Sequence, residues 1–187
     1  GSYDVGMHLY RNFATKYPKP VIAEMGGKNP VIVTANADLD MAAEGAARGA
    51  FGFSGQKCSA TSRAYVHKSV KGEFMERLVE FTSRRIKVGF PTLRETFMGP
   101  VMNQGAVDTW LQAVNDALAS GGRVVYGGNR VTDGDLQHGY YVQPTIVDSL
   151  TPDHRLFQDE LFVPFLAVQE VESLEEAMVM ANDVAFG

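Results

Sequence analysis

The sequence predicts an α/β fold, a mostly parallel sheet flanked by helices, and three observations predict it. Short apolar, β-branched runs alternate along the chain with stretches of 3.6-residue apolar periodicity. Glycine and proline punctuate the junctions between them. Hydrophobic residues make up 45% and charged residues 21% of 187 residues, ordinary globular usage in a chain long enough to bury one core without staples.

Taken in order, Tyr10, Phe13, Ala14 and Tyr17 fall at i, i+3, i+4 and i+7 and predict an amphipathic helix stopped by Pro18 and Pro20. The apolar runs 21–23 and 31–33 predict strand ends joined by an irregular turn containing Glu24, Gly26, Gly27 and Pro30. Asp38 caps a following helix whose stripe is Leu39, Ala42, Ala43, Ala46, Ala47, Ala50 and Phe51. A stripe made mostly of alanine implies close packing. Residues 52–60 then form a glycine-flanked loop carrying Cys58, ahead of a strand over 63–67.

Phe74, Leu78 and Phe81 mark one later helix, and Val107, Trp110, Leu111, Val114 and Leu118 another. Strands are predicted over 124–126, 140–147 and 164–171, with a polar, glycine-bearing surface loop over 129–139. Leu174, Ala177, Met178 and Ala181 give the last helical stripe. No repeat, linker or internal boundary appears, so residues 1–187 read as one domain. Because the first residues run straight into a helix and the last follow one without a closing element, the chain is expected to be a fragment of something larger.

The net charge of -5 arises from intermixed signs, with no basic stripe suited to nucleic acid. No apolar stretch approaches the roughly 20 residues that span a bilayer, and no signal-peptide layout opens the chain. The single cysteine excludes an internal disulfide. Without a Cys/His cluster at ligand spacing no metal site is expected, and a reducing, cytoplasmic setting fits.

Cys58, flanked by Gly55, Gln56, Ser59 and Ala60, lies where backbone N–H groups of a turn can stabilise a thiolate. The rival reading is a buried, inert thiol. Glu24 follows an apolar run and precedes two glycines that let backbone approach a ligand, the alternative being a surface carboxylate beside a glycine turn. His8, His67, His138 and His154 sit in polar or strand-end surroundings suited to structural or solvated roles.

Glu24-Met25-Gly26-Gly27-Lys28-Asn29-Pro30 and Phe53-Ser54-Gly55-Gln56-Lys57-Cys58-Ser59-Ala60 together resemble the general-base and cysteine motifs of the NAD(P)-dependent aldehyde dehydrogenases, in the family's order and at its separation. Gly1-Ser2-Tyr3-Asp4-Val5-Gly6 resembles that family's turn at the helix start that meets the cofactor pyrophosphate. Gln158-Asp159-Glu160-Leu161-Phe162-Val163-Pro164 resembles the segment whose glutamate holds the nicotinamide ribose and whose phenylalanine lines the nicotinamide site, although the family usually has glycine where this chain has Val163. That bulk would alter the nicotinamide pocket. Residues 181–187 resemble a helix-to-loop motif near the end of the catalytic domain, and Gln104 lies where the family often has a glutamine near the cofactor, an exposed helix-start glutamine being the plain alternative.

The resemblance implies an aldehyde dehydrogenase-like catalytic domain, with residues 1–23 including the end of a cofactor-binding domain. It implies Cys58 as nucleophile, Glu24 as base for thioester hydrolysis, and Ser2, Met25, Gly26, Glu160 and Phe162 as cofactor contacts, with NAD or NADP as cofactor. A small aldehyde is the implied substrate, a homo-oligomer the implied assembly of the full-length enzyme, and inactivity the expected state of this fragment alone. The cysteine motif is especially similar to that of the 1-pyrroline-5-carboxylate dehydrogenase branch, which oxidises glutamate 5-semialdehyde to glutamate. By that likeness Ser59 holds the substrate carboxylate. The alternatives are another aldehyde, a cysteine hydrolase using a histidine base, and a non-catalytic module.

Overall fold

A computed structural model describes residues 1–186. Its strands are β1 (Asn29–Val33), β2 (Thr61–His67), β3 (Arg123–Tyr126), β4 (Thr145–Asp148) and β5 (Phe165–Val171). The helices are α1 (Tyr3–Asn12), α2 (Leu39–Phe51), α3 (Lys71–Arg85), α4 (Gln104–Ala119), α5 (Arg155–Gln158) and α6 (Leu174–Asn182). The strands form one sheet in the order β1-β2-β5-β4-β3, in which only the β3–β4 pairing is antiparallel. This is the predicted mostly parallel sheet.

Successive strand residues point to opposite faces, and the core divides accordingly. Ala64, Val66, Ile146, Leu166 and Val168 pack with α2 and α3 on one face. On the other, Val147, Phe165 and Ala167 pack against Val107, Trp110, Ala113, Val114 and Ala117 of α4 and Leu156 and Phe157 of α5. Tyr65 and Val171 meet Ala177 of α6 on that second side. A sheet covered on both faces explains strands that read as nearly continuous apolar runs.

Helix α2 forms where its alanine stripe and Asp38 cap place it, the Asp38 carboxylate accepting from Asp40 N at 3.0 Å and Met41 N at 3.1 Å. Trp110 is fully buried and donates from Nε1 to Thr145 Oγ1 at 3.1 Å, which resolves the polar end of an otherwise apolar anchor.

Four expectations need correction. The first helix ends at Asn12, whose side-chain amide donates to His8 O at 2.8 Å, and Tyr10, Phe13 and Tyr17 lie exposed, with Lys19 and Lys16 laid over the Phe13 and Tyr17 rings. Residues 21–23 form no strand: a strand needs a paired neighbour, and Ile22 is 91% exposed. The 140–147 strand shortens to β4 because Pro144 offers no N–H to the ladder. Leu111 and Leu118 sit on the exposed side of α4; Val107, Trp110 and Val114 are buried as expected, with Ala113 and Ala117 completing the stripe. Gly187, last of the terminal motif, lies outside the described residues.

Ala47 is fully buried between α2 and the sheet. Ala47→Leu should therefore destabilise the chain by about 1–3 kcal/mol through overpacking. The effect appears as a lower urea midpoint at constant m-value, and an unshifted midpoint would mean that α2 does not pack as closely as described.

Candidate active site

The segment 24–30 and the cysteine loop meet at the amino ends of β1 and β2, whose register pairs Asn29 with Thr61 across a bulge at Pro30. Glu24, Met25, Gly26, Gly27, Lys28, Asn29 and Pro30 line a cleft of about 350 Å³ together with Cys58, Ser59, Arg63, Ala181, Asn182, Val184 and Phe186. The two motifs separated in sequence thus share one space, with Ala181, Asn182, Val184 and Phe186 on its wall. Glu24 and Cys58 are both exposed, so the buried-thiol reading of Cys58 does not hold.

The chain enters the cysteine loop through a 3-10 turn, Gly52–Gly55, in which Phe53, Ser54 and Gly55 have φ of 56°, 58° and 69°. Left-handed backbone at two non-glycine residues costs energy that the surroundings must offset. The buried Ser54 hydroxyl donates to Gly99 O at 2.9 Å, and the Gln56 carboxamide accepts from Met102 N at 2.8 Å. A Cβ at Gly55 would overlap the carbonyl of Val163, which requires glycine there on sterics as well as on φ. Val163 itself is buried in the second core cluster, so its side-chain bulk is spent on packing against the α4 side.

Beyond the turn, Ala60 N donates to Lys57 O at 3.0 Å, closing the loop around Cys58 and Ser59. Asn29 Nδ2 donates to Cys58 O at 2.6 Å and to Ala60 O at 3.1 Å. Gly27 lies so close to the same Cys58 carbonyl that a Cβ there would overlap it.

Glu160 reaches this region from the loop before β5: its Oε1 accepts from Gly27 N at 3.0 Å, and its carboxylate lies so near Gly26 that a Cβ there would overlap it. Glu160 and Phe162, the latter with φ 57°, line a narrow space behind the loop with Gly27, Gly55 and Lys57 rather than the cleft itself. Ser2 caps α1, its Oγ accepting from Val5 N at 3.4 Å, and the helix rests on Met25 through Gly6. Gln104 is exposed at the start of α4, donating to Asp108 Oδ1 at 2.8 Å, outside the cleft. No histidine lines the cleft among the described residues; His154 caps α5 and His67 contacts Ser69.

Sequence reasoning missed two buried cations beneath the site. Arg63, fully buried, donates to Lys28 O, to Ala181 O at 3.0 Å, to Met180 O at 3.3 Å and to Tyr65 Oη at 3.1 Å. Lys28 is 2% exposed and its Nζ has no hydrogen-bond partner among the described residues. Burial, and then the neighbouring Arg63 charge, lower its pKa from 10.5 to about 7, against the opposing pull of Asp159 and Glu160. A charged residue opening an otherwise apolar strand was the one available signal for Arg63.

The family model described as the aldehyde dehydrogenase family matches residues 1–187. This chain belongs to the aldehyde dehydrogenase family. It is 40% identical over 192 residues to 1-pyrroline-5-carboxylate dehydrogenase 2 of Halalkalibacterium halodurans, covering 100% of this chain and 36% of that protein. It is 42% identical over 164 residues to the alpha-ketoglutaric semialdehyde dehydrogenase of Bacillus subtilis, covering 88% of this chain and 33% of that relative. Among solved structures, betaine aldehyde dehydrogenase of Staphylococcus aureus in complex with NAD+ superposes with a TM-score of 0.92 at 33% identity, covering 100% of this chain and 37% of that one. The chain spans about a third of the length of these aldehyde dehydrogenases.

Lys28 gives a pH signature. Below about 7 the folded and unfolded chains both hold its proton and the full cost of burying the charge is present. Between about 7 and 10.5 only the unfolded chain keeps the proton, so stability rises with pH, by up to about 1.4 kcal/mol per pH unit for this one group. Denaturation midpoints from pH 7 to 9 should climb, and Lys28→Met should raise the neutral-pH midpoint and flatten the climb. A Lys28→Met chain with the original pH slope would exclude this origin.

Proposed function

We propose that this chain is the cysteine-bearing part of an NAD- or NADP-dependent aldehyde dehydrogenase that oxidises an aldehyde to a carboxylic acid through a thioester on Cys58. The observation that carries the reading is one cleft of about 350 Å³ lined by Glu24, Cys58 and Ser59. The thiolate of Cys58 adds to the aldehyde carbon, giving a thiohemiacetal, and loss of hydride from that carbon leaves the thioester. The nicotinamide, when bound, supplies the hydride acceptor. Glu24 takes a proton from the water that attacks the acyl carbon, releasing the acid and restoring the thiol.

The residues present suit such a cofactor. Gly26 and Gly27 bring backbone against the Glu160 carboxylate, where a Cβ at Gly26 would not fit, and one Glu160 oxygen is already oriented by Gly27 N–H. By the family likeness Glu160 would hold a ribose hydroxyl and Met25, Gly26, Phe162 and Ser2 would be further cofactor contacts, of which Met25 and Gly26 line the Cys58 cleft and Phe162 lies behind the loop.

For substrate we favour L-glutamate 5-semialdehyde, on the cysteine-motif likeness and on the relative named for 1-pyrroline-5-carboxylate. The relative named for alpha-ketoglutaric semialdehyde supports a second reading. Both compounds are five-carbon chains with an aldehyde at one end and a carboxylate at the other, and the position of Ser59 next to Cys58 on the cleft wall supports its assignment to that carboxylate. A cysteine hydrolase lacks support because no histidine lines the cleft among the described residues. A soluble cytoplasmic homo-oligomer is the setting we propose for the intact enzyme.

In that intact enzyme, Cys58→Ser should abolish hydride production, whereas Glu24→Gln should keep a single-turnover burst of reduced cofactor and slow steady turnover by about 10²–10⁴-fold. Loss of the burst in Glu24→Gln would remove Glu24 from the hydrolysis step. Ser59→Ala should raise KM for glutamate 5-semialdehyde by about tenfold or more and leave KM for an uncharged aldehyde of similar length nearly unchanged, since a hydrogen bond to a charged group is worth about 1.5–3 kcal/mol. Equal effects on the two substrates would sink the Ser59 assignment.

A further inference from the structure

We infer that Asn29 is the positioning residue for the Cys58 nucleophile, fixing the peptide on its carboxyl side. The inference rests on the reading of Cys58 as nucleophile and deepens it. Two peptide planes flank Cys58, and each is tied by a different bond. The 57–58 peptide is held through Lys57 O, which accepts from Ala60 N at 3.0 Å within the loop. The 58–59 peptide is held through Cys58 O, which accepts from Asn29 Nδ2 at 2.6 Å, a bond from a different element. With both planes fixed, φ and ψ of Cys58 are set and only its χ1 remains free.

The same amide also donates to Ala60 O at 3.1 Å, so both donor hydrogens of Asn29 are used on the turn. Gly27 closes the other side of the Cys58 carbonyl, where a Cβ would overlap it. Asn29 in turn is anchored: it begins β1, pairs with Thr61 in the register, and follows Lys28, whose carbonyl accepts from buried Arg63. The thiol therefore stands on a loop whose orientation is referred to the sheet through one side-chain amide. Positioning of this kind bears on the attack step, where a misplacement of about 1 Å costs on the order of 10²-fold.

The test uses Asn29→Asp and Asn29→Ala in the intact enzyme, reading the single-turnover burst of reduced cofactor, its pH profile, and KM for the cofactor. Asp has the shape of Asn but, ionised, turns an acceptor toward two carbonyl oxygens; protonated, it regains one donor. At neutral pH both variants should show a burst slowed roughly 10- to 100-fold with cofactor KM changed less than about threefold. The Asn29→Asp rate, relative to the unsubstituted enzyme, should recover as pH falls and its carboxyl takes up a proton. Bursts within twofold of the unsubstituted rate would overturn the proposal. So would a rise in cofactor KM matching the loss of burst, or a pH-independent Asn29→Asp ratio, since either points to general loosening. Should Asn29→Asp fail to fold, Asn29→Ala decides on burst against KM. A Cys58→Ser enzyme that kept the burst would overturn the underlying reading of Cys58, whatever Asn29 did.

Discussion

The guanidinium of Arg63 is the contact around which the cleft is assembled. It is fully buried at the amino end of β2, and the acceptors it finds are backbone carbonyls of Lys28, Met180 and Ala181 with the Tyr65 hydroxyl. Met180 and Ala181 belong to the last turn of α6, where the free carbonyls and the helix dipole favour a cation. One side chain thus ties together the start of β1, β2 and the end of α6. A hydrogen bond to a charged group is worth about 1.5–3 kcal/mol, so these segments are held in a fixed relation. After burial, the same charge is the next contributor to the lowered pKa of Lys28, since neighbouring like charges repel.

From that anchor the site is built outward in short steps. Lys28 fixes Asn29, Asn29 ties the Cys58 turn, and Gly27 and Gly26 bring the backbone against the Cys58 carbonyl and the Glu160 carboxylate. The turn before Cys58 stores left-handed backbone at Phe53 and Ser54, and Phe162 across from it does the same. Strain clustered on both sides of Cys58, the proposed nucleophile, suits a site whose geometry is over-determined by its neighbours. The cleft lies at the amino ends of β1 and β2, whereas ligands in open α/β sheets usually sit at carboxyl ends. Its chemistry therefore depends on the loops that precede the strands.

The parts of this arrangement legible in the sequence are those with a local cause. The alanine stripe of α2, its Asp38 cap and the strand apolar runs each follow from neighbours in the chain, and Glu24 and Cys58 were legible because their motifs are specific in composition and order. The unread parts depend on distant partners. Nothing near residues 21–23 reveals that no strand will pair with them, and the aromatic stripe of α1 has helical spacing whether or not it is covered. The antiparallel edge strand β3, the one-turn α5 and the left-handed turn at Phe53 are likewise set by tertiary contact. Asn29 and Arg63 were invisible as a group because most of their partners are main-chain atoms, which leave no trace in residue identity, and the burial of Lys28 depends on segments distant in the chain.

Cys58 and Glu24 share one cleft, and we propose them as nucleophile and base for its acyl adduct. The most direct measurement is peptide mass spectrometry of the intact Glu24→Gln enzyme, quenched in acid after mixing with aldehyde and oxidised cofactor. The acyl mass is expected on the peptide containing Cys58, in amount equal to the reduced cofactor formed. Reduced cofactor with no acyl mass on that peptide, or with the mass on another residue, would contradict it.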